Sequence, residues 1–171
     1  MARHAKPKPD ATATRQRAIQ KQVDAAEKPE AKDKAKASPA EKAMQAGARA
    51  YPFPPFPEQH LPKPGEEADL HPAPMYDNPH YKGSEKLKDK VAIITGGDSG
   101  IGRSVAVFFA REGADVAIVY LSEDKDAEDT RRAVEKEGRK AILIAGDVSD
   151  PAFCKSAVVQ TVKAFGKLDA L

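Results

Sequence analysis

The stretch Val91–Gly102, VAIITGGDSGIG, constrains the fold of this chain more than any other part of it. Val91–Ile94 is an apolar run of the kind buried on both faces of a parallel sheet. It passes directly into Thr95-Gly96-x-x-x-Gly100-x-Gly102, and a helix is predicted to start near Gly100. Gly96 permits a tight turn that a Cβ would forbid. Gly100 removes a side chain where backbone must approach an anion, and Gly102 lets the new helix pack closely. The free N–H groups and the dipole of that helix then face an anion such as a pyrophosphate. The bland alternative is a strand–helix loop with spare glycines. The full octet, placed between a strand and a helix, favours the anion-binding reading.

From Leu87 onward strand and helix patterns alternate. Ile101–Arg111 reads as a helix with Ile101, Val105, Phe108 and Phe109 on one face, ended by Gly113. Val116–Tyr120 is a second strand. Asp124–Glu137 is a charged, exposed helix with Ala127, Thr130 and Val134 inward and Glu128 and Arg132 at i,i+4 spacing. Ala141–Ala145 is a third strand. Ser149 and Asp150 offer N-caps to a helix with Pro151 in its first turn, which carries Cys154, Val158, Val162 and Phe165 on one face and stops at Gly166. Leu168–Leu171 reads as the start of a fourth strand. This alternation predicts an α/β fold with a parallel sheet, the N-terminal half of a Rossmann-type doubly wound arrangement. Cys154, on the apolar face, is expected to be a buried structural thiol. His4, His60, His71 and His80 are scattered without metal-ligand spacing, so no metal site is expected.

Composition divides the chain of 171 residues into three parts, although its net charge is only +2. Residues 1–50 carry twelve Lys/Arg against six Asp/Glu and no aromatic residue. They read as a disordered, basic, low-complexity tail, with a transient helix over Thr14–Lys28 whose apolar side is only Ile19 and Val23. A nucleic-acid partner would use that charge, but no aromatic side chain is present for base stacking. Residues 51–86 form a Pro- and aromatic-rich arm, with nine prolines among positions 51–80 and Tyr51, Phe53, Phe56, Tyr76 and Tyr81 interleaved or close behind. Such a segment is extended, and its aromatics predict docking on its own domain or on a neighbouring subunit; a partner domain that recognises proline is the rival reading. Residues 87–171 hold the α/β pattern. No apolar run approaches membrane-spanning length and no secretory leader is visible, so the cytoplasm is the default expectation.

The octet TGGDSGIG resembles the cofactor turn of the short-chain dehydrogenase/reductase family, and residues from about Leu87 to Leu171 resemble the N-terminal half of its fold. The arm PFPPFPEQHLPKPGEEADLHPAPMYDNPHYKGSEKLKDK is similar to the N-terminal extension of a bacterial subgroup that includes stress-associated, NADP-dependent aldehyde reductases. The resemblance implies that Thr95, Gly96, Asp98, Ser99, Gly100, Ile101 and Gly102 form the pyrophosphate turn of an NAD(P) site. It places Asp147 and Val148 on the adenine edge, although Asp147 could simply cap its own turn. An acid closing the second strand would bind ribose hydroxyls and reject a 2′-phosphate. Tyr120 stands there, which leans toward NADP, while Asp98 and Glu123 would not welcome a phosphate.

In the family, an Asn-Asn-Ala-Gly stretch, a Ser and a Tyr-x-x-x-Lys pair come further along the chain. None of Tyr51, Tyr76, Tyr81 or Tyr120 has a lysine four residues on. The resemblance therefore implies the cofactor-binding half of an NAD(P)-dependent oxidoreductase of carbonyls or alcohols, truncated in the fourth strand and inactive alone. A small carbonyl or alcohol substrate and homo-oligomerisation are expected only of a longer form. A non-catalytic nucleotide-binding or subunit-interaction fragment is the alternative. The first strand is then expected to present an unpaired apolar edge, which would favour association.

Overall fold

In the computed structural model, residues 9–26, 55–61 and 67–171 are described. The expectations for His4, Tyr51, Phe53 and most of positions 1–50 fall outside these residues. The elements are α1 (Pro9–Ala26), a 3-10 turn (Glu67–Asp69), β1 (Val91–Thr95), α2 (Gly100–Arg111), β2 (Asp115–Tyr120), α3 (Asp124–Lys136), β3 (Ala141–Ala145) and α4 (Pro151–Phe165). The three strands form one parallel sheet in the order β1-β2-β3, with Val91 opposite Asp115 and Val116 opposite Ala141.

Strand periodicity explains the layers. On β2, Val116 and Ile118 join Ile94, Ala106, Ala110 and Val134 in a core against α2 and α3. The alternate residues, Ala117 and Val119, join Ile93, Ile144 and Ala157 on the α4 side. Both faces of β2 are thus covered, as period-2 alternation in a doubly wound sheet requires. The predicted fourth strand is present in embryo. Ala170 bridges Ala92 in parallel, and Ile93 N–H donates to Ala170 O at 3.0 Å. The edge of β1 expected to be bare is therefore partly paired.

Two helix faces differ in part from the sequence reading, although Val105 and Phe109 of α2 and Phe165 of α4 pack against the core as expected. Ile101 is 85% exposed, whereas Arg103, Ala106, Val107 and Ala110 are buried. Ile101 lies in the first turn of α2, on the stripe that also carries Phe108. Phe108 meets the ring of Tyr81 edge-on, with centroids 5.4 Å apart, rather than the sheet. On α4 the buried residues are Ala157 and Thr161, while Cys154 and Val162 are exposed. The inward stripe is rotated by one residue because Thr161 can be buried, its hydroxyl donating to Ala157 O at 2.8 Å. The Asp150 cap is as expected, its side chain accepting from Ala152 N–H at 2.8 Å. On α3, Ala127, Thr130 and Val134 are buried as predicted, but Glu128 pairs with Arg131, and Arg132 with Asp129, at i,i+3 spacing.

The arm lies along α2. Ser104 donates to Tyr76 O at 2.9 Å, and Arg111 holds Asn78 O at 2.8 Å and Asp77 at 2.9 Å while also pairing with Glu137, the C-cap of α3. Glu112 accepts from the Tyr81 hydroxyl, from the Ser84 and Lys86 N–H groups at 2.9 Å each, and from Lys86 Nζ at 3.1 Å. Within the basic tail, Pro9–Ala26 is one continuous helix, beginning five residues before the transient helix expected at Thr14.

These contacts, the Tyr81 hydroxyl first and then the two backbone N–H groups, hold the Glu112 carboxyl at about 2, below its ordinary 4.5. A depressed carboxyl contributes stability that is complete above the ordinary value and lost as pH falls through the depressed one. Glu112→Gln should therefore melt below wild type at pH 7, with the gap closing between pH 4.5 and 2. Thermal unfolding over that range measures it, and a gap constant down to pH 2 would mean that charge is not what Glu112 contributes.

Candidate functional site

The site is built from the carboxyl ends of the three strands. After β1 the chain turns at Gly96 with φ +62°, and a Cβ at Gly102 would collide with the Gly96 carbonyl oxygen, so the start of α2 sits directly on the turn. Gly102 thus permits an approach of helix to turn rather than of helix to strand. Ser99 is the N-cap of α2 in extended backbone, but its side chain does not cap the helix; its hydroxyl donates to Asp98 at 3.0 Å. The capping carboxylate comes from the arm, where Glu67 accepts from Gly100 N–H.

Glu67 belongs to a buried charged cluster that the sequence reading missed. Arg103 reaches Glu67 at 2.6 Å and Asp126 at 3.2 Å. Its Nε donates to Asp98 O and Thr130 Oγ1, both at 2.9 Å, and Glu67 N–H donates to Asp126 at 2.8 Å. The Tyr76 ring covers the guanidinium, 5.1 Å from ring centre to Cζ. A hydrophobic pattern passes over an arginine; the available signal was its position at i−3 and i−4 to Ala106 and Val107 on the inward stripe.

A cavity of about 320 Å³ opens at the strand ends. Gly96, Asp98, Ser99, Tyr120, Asp147 and Val148 line it. Thr95, Gly100, Ile101 and Gly102 complete the turn beside it without lining it. Glu123 and Gly146 also line it, as do Thr12 and Gln16 of α1, which the sequence reading did not place here. A larger hollow of about 520 Å³ lies between α1 and His60–Leu61 and touches none of the ten expected residues.

Two of the lining groups have shifted acidities. Burial, then the hydrogen bond to Asp124 at 2.7 Å, pushes the Tyr120 phenol well above its usual range. Asp147 accepts from Ser149 N–H at 2.8 Å and from the Thr12 hydroxyl at 2.7 Å, and hydrogen bonds from these two residues hold its carboxyl below the usual range. Asp147 therefore caps its own turn and lines the cavity as well.

A parallel sheet whose order reverses beside β1, with a glycine turn and a helix start at that crevice, defines an α/β domain of the dinucleotide-binding kind. Residues 90–171 match the family described as short chain dehydrogenase. Over those residues, a little under half of its length, the chain is similar to that family. It is 58% identical over 109 residues to general stress protein 39 of Bacillus subtilis, covering 64% of this chain and 38% of that protein. It is 46% identical over 121 residues to glucose and ribitol dehydrogenase of Daucus carota, covering 67% and 42%. It is 41% identical over 120 residues to NADPH-dependent aldehyde reductase 1, chloroplastic, of Arabidopsis thaliana, covering 67% and 41%. The chain thus spans about two fifths of the length of these relatives. All three alignments are longer than residues 90–171, so the likeness extends back into the arm.

Arg103→Met tests the charged cluster. It leaves Glu67 and Asp126 buried without their cation, which should cost about 3–5 kcal/mol. Urea unfolding of the chain measures this, and a loss within about 0.5 kcal/mol, as at an ordinary surface position, would show the cluster to be energetically idle.

Proposed function

We propose that residues 87–171 bind the dinucleotide of an NAD(P)-dependent carbonyl or alcohol oxidoreductase, with the arm as part of the same unit. The observation that carries this reading is the crevice at the carboxyl end of β1, where Gly96 and Asp98 of the glycine turn, the Ser99 N-cap of α2 and Asp147 line one cavity. The donor set fits the group. Of the first-turn N–H groups of α2, Gly100 serves Glu67 and Arg103 bonds Ser99 O, leaving those of Ile101 and Gly102 for a pyrophosphate. The Asp147 carboxylate accepts from an adenine amino group, and the Val148 backbone completes that edge. Tyr120, closing β2 without a negative charge, stands where an acid would repel a 2′-phosphate, which supports NADP. Asp98 and Glu123 in the same cavity work against it.

Bound there, the nicotinamide supplies or accepts the hydride. This chain's own residues hold and orient that group. The proposal assigns these residues the cofactor-holding part of a reaction on a small carbonyl or alcohol, over a span equal to about two fifths of the relatives' length.

Calorimetric titration tests the reading. NADPH should bind more tightly than NADH, and Asp147→Ala should weaken both about tenfold, the value of one charge-assisted hydrogen bond. Gly102→Val should abolish binding, because its side chain would fill the space of the Gly96 carbonyl. Equal heats for wild type and Gly102→Val would remove the cofactor reading; tighter binding of NADH would remove only the lean to NADP.

A further inference from the structure

We propose that α1 is a working wall of the cofactor cleft, with Thr12 and Gln16 forming a roof over its adenosine half and contacting the base. This rests on the dinucleotide reading above and adds two residues to it, from a part of the chain that composition alone assigns to a solvated tail.

Four observations meet at this point. Thr12 donates to Asp147 at 2.7 Å across 135 residues of sequence, so the helix engages the carboxylate assigned to the adenine edge. Ala13 is 1% exposed, whereas its described neighbours on α1 are mostly exposed, so the contact is one docking point rather than an amphipathic face. The residues there, Ala11-Thr12-Ala13-Thr14, are small and allow close approach. The helix is also tied down farther along, where the Gln20 side chain donates to Leu61 O at 3.2 Å; beyond Leu61 the arm is pinned to α2 through Glu67.

Two arrangements could follow from such a contact. A plug would fill the cleft and compete with the cofactor; a roof would leave room beneath. With α1 in place the cavity keeps about 320 Å³, bounded by Thr12 and Gln16 on one side and by the strand ends on the other. That is at the lower end of the roughly 300–1,000 Å³ typical of small-molecule sites, enough for part of a dinucleotide and too little for a whole one. The chemistry also favours a roof. A carboxylate offers about four acceptor positions, and Ser149 N–H and Thr12 take two of those on Asp147. An exocyclic amino group can share the rest. The Thr12 oxygen remains an acceptor while its proton is donated, and the Gln16 amide adds both donors and an acceptor above the base.

The test uses the full chain and the two halves of the cofactor, 5′-AMP and nicotinamide mononucleotide, titrated by calorimetry. Thr12→Val and Gln16→Ala should each raise the Kd for 5′-AMP about three- to tenfold, as the loss of one hydrogen bond does. The Kd for nicotinamide mononucleotide should stay as in wild type. Gln16→Ala leaves the Thr12–Asp147 contact in place, so it reports on the roof even where Thr12→Val undocks the helix. Unchanged or tighter 5′-AMP binding in Gln16→Ala overturns the inference and leaves the dinucleotide reading intact. Wild-type chain that binds no adenine nucleotide overturns both.

Discussion

Arg103 is the side chain around which the groups that shape the cofactor turn are gathered. Its guanidinium is buried between two carboxylates from different parts of the chain, Glu67 of the arm and Asp126 of α3, and its Nε fixes the Asp98 carbonyl inside the turn. A planar fork of donors can serve these directions at once, which an ammonium cannot. The neighbouring groups complete the arrangement. Thr130 also donates to Asp98 O at 2.8 Å, and the second oxygen of Glu67 holds Gly100 N–H. The turn is therefore set by three separate segments, and the backbone conformation that its glycines allow is selected by charges outside it. This gives the Pro-rich arm a reason to precede β1, because it carries the acid that neutralises Arg103 and caps α2.

That dependence also explains which parts of the fold were legible in the sequence. The strands were, because each needs only its own alternation. Val116 and Ile118 go one way, Ala117 and Val119 the other, and β3 spans Ala141–Ala145 as read. The turn was legible because glycine is the only residue that fits at 102. Asp147 and Val148 could be placed because they directly follow a strand that could be placed.

What was not legible rests on partners distant in sequence. Arg103 and Thr161 are polar residues on inward stripes, and each is tolerated only because a specific acceptor is waiting: the Glu67–Asp126 pair for one, the Ala157 carbonyl for the other. A pattern based on apolar residues rotates α2 and α4 away from such positions. The same rotation turned Cys154 inward on paper and outward in the structure. The docking of α1 left still less trace, since it rests on small and polar groups such as Ala13, the Thr12 hydroxyl and the Gln20 amide.

The cleft then poses an electrostatic question, because Asp98, Glu123 and Asp147 line a cavity proposed to take an anionic ligand. The arrangement separates the two demands along the crevice. At the start of α2 the backbone N–H groups and the helix dipole favour an anion and Glu67 is matched by Arg103, whereas Asp98 in the turn opposes one. The other end keeps Asp147 ionised, since the hydrogen bonds that lower its acidity constant favour the charged form. An ionised carboxylate accepts and never donates. If Asp147 meets the base, it therefore attracts an exocyclic amino group and repels a keto oxygen at the same position. In the proposed complex, negative charge at that end would favour adenine over hypoxanthine, because only the former presents an amino group to an acceptor.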